Sequence, residues 1–192
     1  MCGRYVVVQK MEVIEKRFNV EVKTPAQFTL FVPNHNVSIG QMAPVITDDK
    51  PGDLQFFEFG MKGMGWKKLK RTGEWKQFET RWFNARSEGD KNKENDPKYK
   101  GRMGIFDKKS FKSQIRNKRC LVIADAFIEG TTTERLDKPF VVYLKNKVRP
   151  FAMAGIWDSW TDKETGEVIN SFAIITTMNC KVPRKLLTSS PN

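Results

Sequence analysis

A short apolar run in the second half of the chain reads RCLVIADAFIEG and covers Arg119–Gly130. Its first six residues have the length and composition of a buried strand, and Asp125 and Glu129 follow that strand. Because Glu129 follows two apolar residues, its carboxylate is a candidate for a partly desolvated general acid or base. A solvated glutamate in a turn is the alternative.

Further strands are predicted where apolar residues cluster or alternate between turn residues. They cover Tyr5–Gln9, Met42–Thr47, Leu54–Phe59, Pro139–Leu144, Phe151–Trp157 and Ser171–Thr177. Apolar residues at helical spacing predict two amphipathic helices, one around residues 11–18 and one within Asp107–Lys118. With no internal repeat and no linker, the sequence predicts one α+β domain, in which a largely antiparallel sheet curls into a barrel-like core with short helices at its periphery.

One stretch is predicted to be irregular because prolines and a polar run interrupt it, and a second stretch is polar and is predicted to be a loop or a short hairpin. The first is Thr24–Ile39, which holds the only histidine, His35, and the second is Arg71–Thr80. We expect His35 to be a hydrogen-bonding or surface residue rather than a catalyst.

The charge of the chain is concentrated in one part. Between Lys62 and Arg119 there are 19 Lys and Arg residues against 7 Asp and Glu, a surplus that equals the net charge of +12 of all 192 residues. A concentrated basic region beside aromatic residues favours a polyanion, since released counterions drive such binding. A basic surface that only keeps the protein in solution is the alternative.

The three cysteines, Cys2, Cys120 and Cys180, do not have the number or spacing of a disulfide framework or a zinc finger. A scattered zinc site of these cysteines with His35 is the alternative to our expectation of no metal and no other cofactor. No stretch reaches the about 18 apolar residues of a membrane span, and residues after Met1 show no apolar signal-peptide core. We expect a cytoplasmic, nucleoid-associated or a nuclear protein.

The chain begins Met1-Cys2-Gly3-Arg4-Tyr5, so removal of Met1 would leave Cys2 at the N-terminus. Cys2 would then carry an amine and a thiol on adjacent carbons, both nucleophilic near neutral pH. Such a 1,2-aminothiol condenses with an aldehyde to an imine, which the thiol closes to a thiazolidine. Gly3 would allow a tight turn, and Arg4 would lie close enough to bind an anion. A chance cysteine that leads into a strand is the alternative.

Two further segments carry candidate binding residues. Residues 60–68 alternate glycine with bulky and basic residues, so Trp66 could stack on a base beside Lys67 and Lys68. A buried core tryptophan is the alternative. Downstream, Asn84 and Arg86 would project from the same side of an extended segment.

Five segments together resemble one family, the SOS-response-associated peptidase (SRAP) or abasic-site-processing proteins. They are MCGRY at 1–5, HNVSIGQMAPVI at 35–46, FNARSE at 83–88, RCLVIADAFIEG at 119–130 and FAIITTMN at 172–179. The segments follow the order of the family over almost the whole chain.

The resemblance implies a mixed α/β fold around a barrel-like sheet that binds single-stranded DNA. It implies that Cys2 captures the ring-opened aldehyde of an abasic site as a thiazolidine, a covalent protein–DNA crosslink. Asn84 would orient the amine and the sugar, Glu129 would shuttle protons, and Arg4 and Arg86 would contact phosphates. The resemblance also implies that the protein removes its own Met1, which accounts for the name peptidase. We expect a monomer.

The family's His-x-Arg-Met-Pro motif is expected to follow shortly after residue 192, so we expect residues 1–192 to be one SRAP-like domain without its C-terminal segment. Two other functions stay open. A non-covalent module would bind intact and abasic single strands alike. A cysteine hydrolase would act on other proteins, although no histidine is placed by motif beside Cys2.

Overall fold

The computed structural model describes residues 3–23, 31–68, 72–87, 104–131, 135–162 and 165–177, without the side chains of 64–68, 75–79, 131, 135 and 136. Within these ranges the chain is mostly sheet. The strands are β1 Arg4–Val7, β2 Asn34–Val37, β3 Met42–Thr47, β4 Gln55–Phe59, β5 Met61–Lys68, β6 Trp75–Trp82, β7 Asn84–Arg86, β8 Arg119–Ala124, β9 Ala126–Thr131, β10 Arg135–Val142, β11 Phe151–Thr161 and β12 Val168–Thr176. The α-helices are α1 Met11–Phe18 and α2 Gln114–Asn117, and a short 3-10 helix covers Gly104–Phe106.

Five strands close into a barrel. They follow the order β11, β8, β3, β4 and β12, and β12 pairs back with β11. The pairs are antiparallel except β4 with β12, which is parallel. Strand β7 continues the sheet as a parallel neighbour of β12. The predicted barrel-like sheet with short helices is therefore confirmed.

A second sheet has the order β10, β9, β1 and β2, all antiparallel. It shares one buried cluster with the barrel, which we call the interior cluster. The barrel contributes Ala43, Val45, Phe57, Phe59, Cys120, Val122, Ala124, Phe172 and Ile174, and the second sheet adds Tyr5, Val7 and Val37. The ring of Tyr5 meets Phe59 edge-on at 5.4 Å, and Phe59 stacks on Phe172 at 5.3 Å. These contacts fix β1 against the barrel.

Helix α1 covers the outside of the barrel. Its buried residues Met11 and Ile14 pack with the outward residues Ile46, Phe56 and Ile123 of three barrel strands. The helix ends at Asn19, which has a left-handed conformation with φ of 53° and whose N–H donates to the carbonyl of Glu15. The predicted amphipathic helix is confirmed.

Several predicted elements differ from the structure. The second helix is only α2, four residues long, because the serines at 110 and 113 favour turns over a helix interior. The stretch Thr24–Ile39 is not irregular throughout, since β2 forms where β1 offers an unpaired edge. Strand β5 pairs with β6 in a hairpin, which is longer than the loop or short hairpin predicted for Arg71–Thr80. Strand β10 contains Pro139. The proline is tolerated because β10 is an edge strand and its pairing with β9 shifts register.

Candidate functional site

Pairing between β1 and β9 sets the position of Glu129. Arg4 pairs with Ile128 and Tyr5 with Phe127, so one further step of this register sets Gly3 opposite Glu129. Side chains alternate along a strand, and Glu129 therefore shares a face with Phe127, which packs against the interior cluster. The side chain of Glu129 is half-buried in β9. It does not lie in a solvated turn, which was the alternative.

The start of β1 also lies against the segment that carries Asn84. A Cβ atom on Gly3 would stand 3.4 Å from Cε2 of Phe83, the residue before Asn84. The N–H of Ile174 donates to the carbonyl of Phe83 at 3.0 Å, and Asn84 pairs with Ile174 in register. Since Ile174 belongs to the interior cluster, Asn84 lies on that side of β7. The fold therefore brings Gly3, Asn84 and Glu129 to one region.

The side-chain amide of Asn84 has both polar atoms buried, and neither Oδ1 nor Nδ2 has a hydrogen-bond partner among the residues that the structure describes. A buried amide without partners costs free energy, since it loses its bonds to water. Such an amide can offer one donor and one acceptor to a ligand without first breaking bonds to the protein. It is the clearest polar binding feature of this region.

Asp125 holds the other end of β1. Its carboxylate Oδ2 accepts the N–H of Val8 at 2.6 Å and that of Gln9 at 2.9 Å. Its own N–H donates to the carbonyl of Val6 at 2.7 Å, and its side chain is only 1% exposed. Asp125 thus ties the residues after β1 to the corner between β8 and β9, four residues from Glu129. Sequence reasoning missed this role, although an aspartate inside an apolar run was a visible clue.

The two arginines predicted to contact phosphate lie in different settings. Arg4 is exposed and its Nη1 donates to Oδ1 of Asn36 at 3.4 Å. Since it alternates with Tyr5, it lies on the face of β1 away from the interior cluster and away from Glu129. Arg86 is half-buried two residues after Asn84 and on the same side of β7, as predicted from the sequence.

Three predicted DNA contacts and the nucleophile stay predictions. Trp66, Lys67 and Lys68 lie in β5, but their side chains are outside the described part of the chain. Cys2 lies outside the described residues as a whole, and so do the C-terminal residues after Thr177.

The remaining candidates do not join the site. Cys120 is buried in the barrel, and burial raises the pKa of its thiol well above the ordinary value, with the nearby charge of Asp48 as the smaller cause. His35 is exposed on β2, so its prediction as a surface residue is confirmed. Among the described residues, no three His, Cys, Asp or Glu side chains form a group that could hold a metal ion. Nor does that part of the chain contain a helix long and apolar enough to cross a membrane.

Comparison with known proteins places this fold and site in a family. The chain matches the family described as SOS response associated peptidase (SRAP) over residues 1–188. The abasic site processing protein YoqW of Bacillus subtilis is 26% identical over 181 residues, which are 92% of this chain and 68% of YoqW. The abasic site processing protein HMCES of Pongo abelii is 31% identical over 103 residues, 40% of this chain and 29% of HMCES.

A crystal structure of a protein from Bacteroides thetaiotaomicron has the same fold, with a TM-score of 0.65 at 24% identity. The match covers 92% of this chain and 68% of that protein. The chain belongs to the SRAP family, as the five sequence segments predicted.

Proposed function

We propose that this protein captures abasic sites in single-stranded DNA as a covalent adduct of Cys2, formed after Met1 has been removed. The observation that carries the proposal is the register of β1: extended by one residue it sets Gly3 opposite Glu129, and a Cβ atom on Gly3 would stand 3.4 Å from Phe83, the residue before Asn84. An N-terminal residue at position 2 would therefore stand beside a half-buried carboxylate and a buried amide without partners. The names of the relatives YoqW and HMCES support abasic DNA as the substrate.

The proposed chemistry joins the two nucleophiles of Cys2 to one carbon. The free amine adds to the C1′ aldehyde of the ring-opened sugar and gives a carbinolamine. The carbinolamine loses water and becomes an imine. The thiol then adds across the C=N bond, its proton passes to the nitrogen, and a thiazolidine results. The net reaction releases one water and needs no oxidant or reductant.

Glu129 is proposed to move the protons of these steps. A half-buried carboxylate can protonate the hydroxyl that leaves as water and can later accept the thiol proton. Asn84 is proposed to bind the sugar and the amine, because its Nδ2 can donate to a sugar oxygen while its Oδ1 accepts from nitrogen. Both atoms are already desolvated, so these bonds replace none that Asn84 makes with the described residues.

Removal of Met1 is a required step of this proposal. While Met1 is present, the nitrogen of Cys2 belongs to an amide and cannot form an imine. Hydrolysis of the Met1–Cys2 bond consumes one water and frees both methionine and the amine. We propose that the protein assists this cleavage with the Cys2 thiol and Glu129.

The test is a time course of crosslinking to abasic and intact single-stranded oligonucleotides, followed on denaturing gels. We expect a shifted band with abasic DNA alone. Glu129→Gln is expected to slow crosslinking about 10²–10⁴-fold with little loss of DNA affinity, since proton transfer contributes a factor of that size. Asn84→Ala is expected to slow crosslinking and also to weaken binding.

The matched control is Glu12→Gln, which removes an exposed carboxylate on α1 and should crosslink like the wild type. Crosslinking of Glu129→Gln at the wild-type rate would show that the carboxylate is structural. Binding to both oligonucleotides without any covalent band would instead favour the non-covalent module.

A further inference from the structure

An exposed aromatic ring lies on a turn that is hydrogen-bonded to Ser87, the residue after β7. Phe106 ends the short helix Gly104–Phe106 and is 46% exposed, although Gly104 and Ile105 before it are buried. Ile105 packs with Ala85 of β7 in one buried cluster. The turn is therefore anchored to the body of the protein, while it presents a phenylalanine to the solvent.

An arginine is held over this ring. The guanidinium carbon of Arg116 lies 5.5 Å from the ring centre of Phe106. Nη1 of Arg116 donates to the carbonyl of Phe106 at 3.1 Å and to that of Lys112 at 2.6 Å. Both acceptors are main-chain carbonyls, so these bonds orient the arginine without neutralising its charge. The Arg116 side chain is thus held in place before any ligand binds, which lowers the entropic cost of binding.

The surrounding surface is basic. From Asp107 to Arg119 there are six Lys and Arg residues and a single acidic residue. Lys118 forms an ion pair with Asp158 at 2.5 Å, and Arg119 one with Asp48 at 3.4 Å. Lys109, Lys112 and Arg116 are exposed on the segment that follows the ring, and none of them forms an ion pair with the described residues. An exposed ring beside exposed cations matches the needs of a nucleotide, which has a flat base and an anionic phosphate.

The residues on both sides of Phe106 are bonded to the end of β7 and to the residue after it. The N–H of Ile105 donates to the carbonyl of Ser87 at 3.1 Å, and Nζ of Lys108 donates to the carbonyl of Arg86 at 3.2 Å. Asn84 and Ser87 are three residues apart on an extended segment, a span of about 10 Å. Ile105 packs on the Ala85 face of β7, opposite to the face of Asn84, and β7 is the last strand of its sheet. A DNA strand bound at Asn84 would therefore pass around this edge and reach Phe106 with a neighbouring nucleotide.

We propose that Phe106 and Arg116 form a stacking platform for a base that flanks the abasic site, with the phosphate of that nucleotide on Arg116 and Lys112. This platform rests on the proposed function, because it places the strand by its lesion at Asn84. The platform adds a second contact with the DNA, and this contact depends on a base. The abasic site itself has no base. The platform selects no particular base, because every base offers a flat face.

Equilibrium binding tests the platform without the covalent reaction. The probe is a fluorescent single strand with one central tetrahydrofuran, an abasic analogue that cannot open to an aldehyde. Two companion strands lack the bases on one or the other side of it. Phe106→Ala is expected to raise Kd about 5- to 150-fold for the strand with all its bases, the range for loss of one base–aromatic stack. This rise in Kd should disappear with the companion strand that lacks the stacked base.

The matched control is Tyr143→Ala. Tyr143 is 49% exposed and has the guanidinium carbon of Arg149 6.0 Å from its ring centre. It follows β10 three residues after Phe140, the partner of Glu129, and by alternation it lies on the face of the sheet opposite to Glu129. Tyr143→Ala should leave Kd unchanged, and Phe106→Trp should preserve it. Melting curves of all variants should match the wild type, because both rings are exposed.

Three results would overturn the platform: wild-type affinity of Phe106→Ala, an equal loss on all three strands, or an equal loss in Tyr143→Ala. Failure of the proposed function is distinguishable, because it would appear as absent crosslinking to true abasic DNA while the base-dependent effect of Phe106→Ala persists. Absence of binding to any strand would contradict both.

Discussion

Replacement of Asp125 by alanine removes the carboxylate that ties the end of β1 to the corner between β8 and β9. Two main-chain N–H groups, those of Val8 and Gln9, lose their acceptor at 2.6 and 2.9 Å. The main-chain bond from Asp125 to Val6 survives the change. The variant therefore tests the side-chain part of the clamp alone.

The expected cost follows from these contacts. A hydrogen bond to a charged group contributes about 1.5–3 kcal/mol, so the two together would contribute roughly 3–6 kcal/mol. Two effects reduce this sum: water can reach the half-buried residues Val8 and Gln9, and the loss of a carboxylate that is 1% exposed relieves its desolvation. We expect a net loss of about 2–4 kcal/mol. For a domain of this size that lowers the melting temperature by about 4–16 °C.

The assay is thermal and urea unfolding followed by circular dichroism, with Asp125→Asn and Asp49→Ala as companions. Asparagine keeps an acceptor oxygen for both N–H groups, but the bonds are neutral and about half as strong, so a loss of roughly 1–2 kcal/mol is expected. Asp49 is exposed in the turn after β3, and its replacement should change little. A melting temperature of Asp125→Ala equal to that of the wild type would refute the clamp.

Three further outcomes are expected. Gly155→Ala should destabilise the barrel by about 1–3 kcal/mol, because its Cβ would stand 2.8 Å from Cγ2 of Val122 and 2.9 Å from Sγ of Cys120; Gly52→Ala, with open space around it, should unfold like the wild type. Burial raises the pKa of Cys120, so its thiolate is scarce at neutral pH and peptide mapping should find it alkylated only after unfolding; equal rates in folded and unfolded protein would contradict this. The Kd for DNA should rise steeply between low and physiological salt, and a constant Kd would exclude the basic region Lys62–Arg119 as the main source of affinity.

Elements with a clear local period were predictable from the sequence. Strands β3 and β8 have the predicted bounds, because each is a short apolar run between polar residues. Helix α1 was equally readable, since Met11, Ile14 and Phe18 repeat at helical spacing. In these segments local preference and tertiary packing favour the same structure.

Elements that depend on distant partners were not predictable in the same way. The hairpin of β5 and β6 lacks the simple alternation of a half-buried strand, so the sequence predicts only a glycine-rich segment followed by a loop or a short hairpin. The barrel closes through pairing of β12 with β11 and with β4, and strand period alone does not specify a partner.

In the candidate site, too, local features were predictable and features that depend on distant partners were not. Glu129 was identified because a carboxylate after apolar residues is unusual, and the structure places it half-buried beside Gly3. The buried amide of Asn84 could not be predicted from the sequence, because its lack of partners within the described part of the chain is a property of the packed site. Asp125 was missed for a similar reason, since the N–H groups that it binds are more than a hundred residues away in sequence.

The central claim is that a free N-terminal Cys2 bonds covalently to abasic DNA. The most direct measurement is mass spectrometry of the adducts that abasic single-stranded DNA forms with three proteins: the form without Met1, a form that retains Met1, and Cys2→Ala. We expect a stable adduct on the N-terminal peptide of the first protein alone, since only that protein has both the free amine and the thiol. An equally stable adduct from Cys2→Ala, or from the form that retains Met1, would contradict the proposed mechanism.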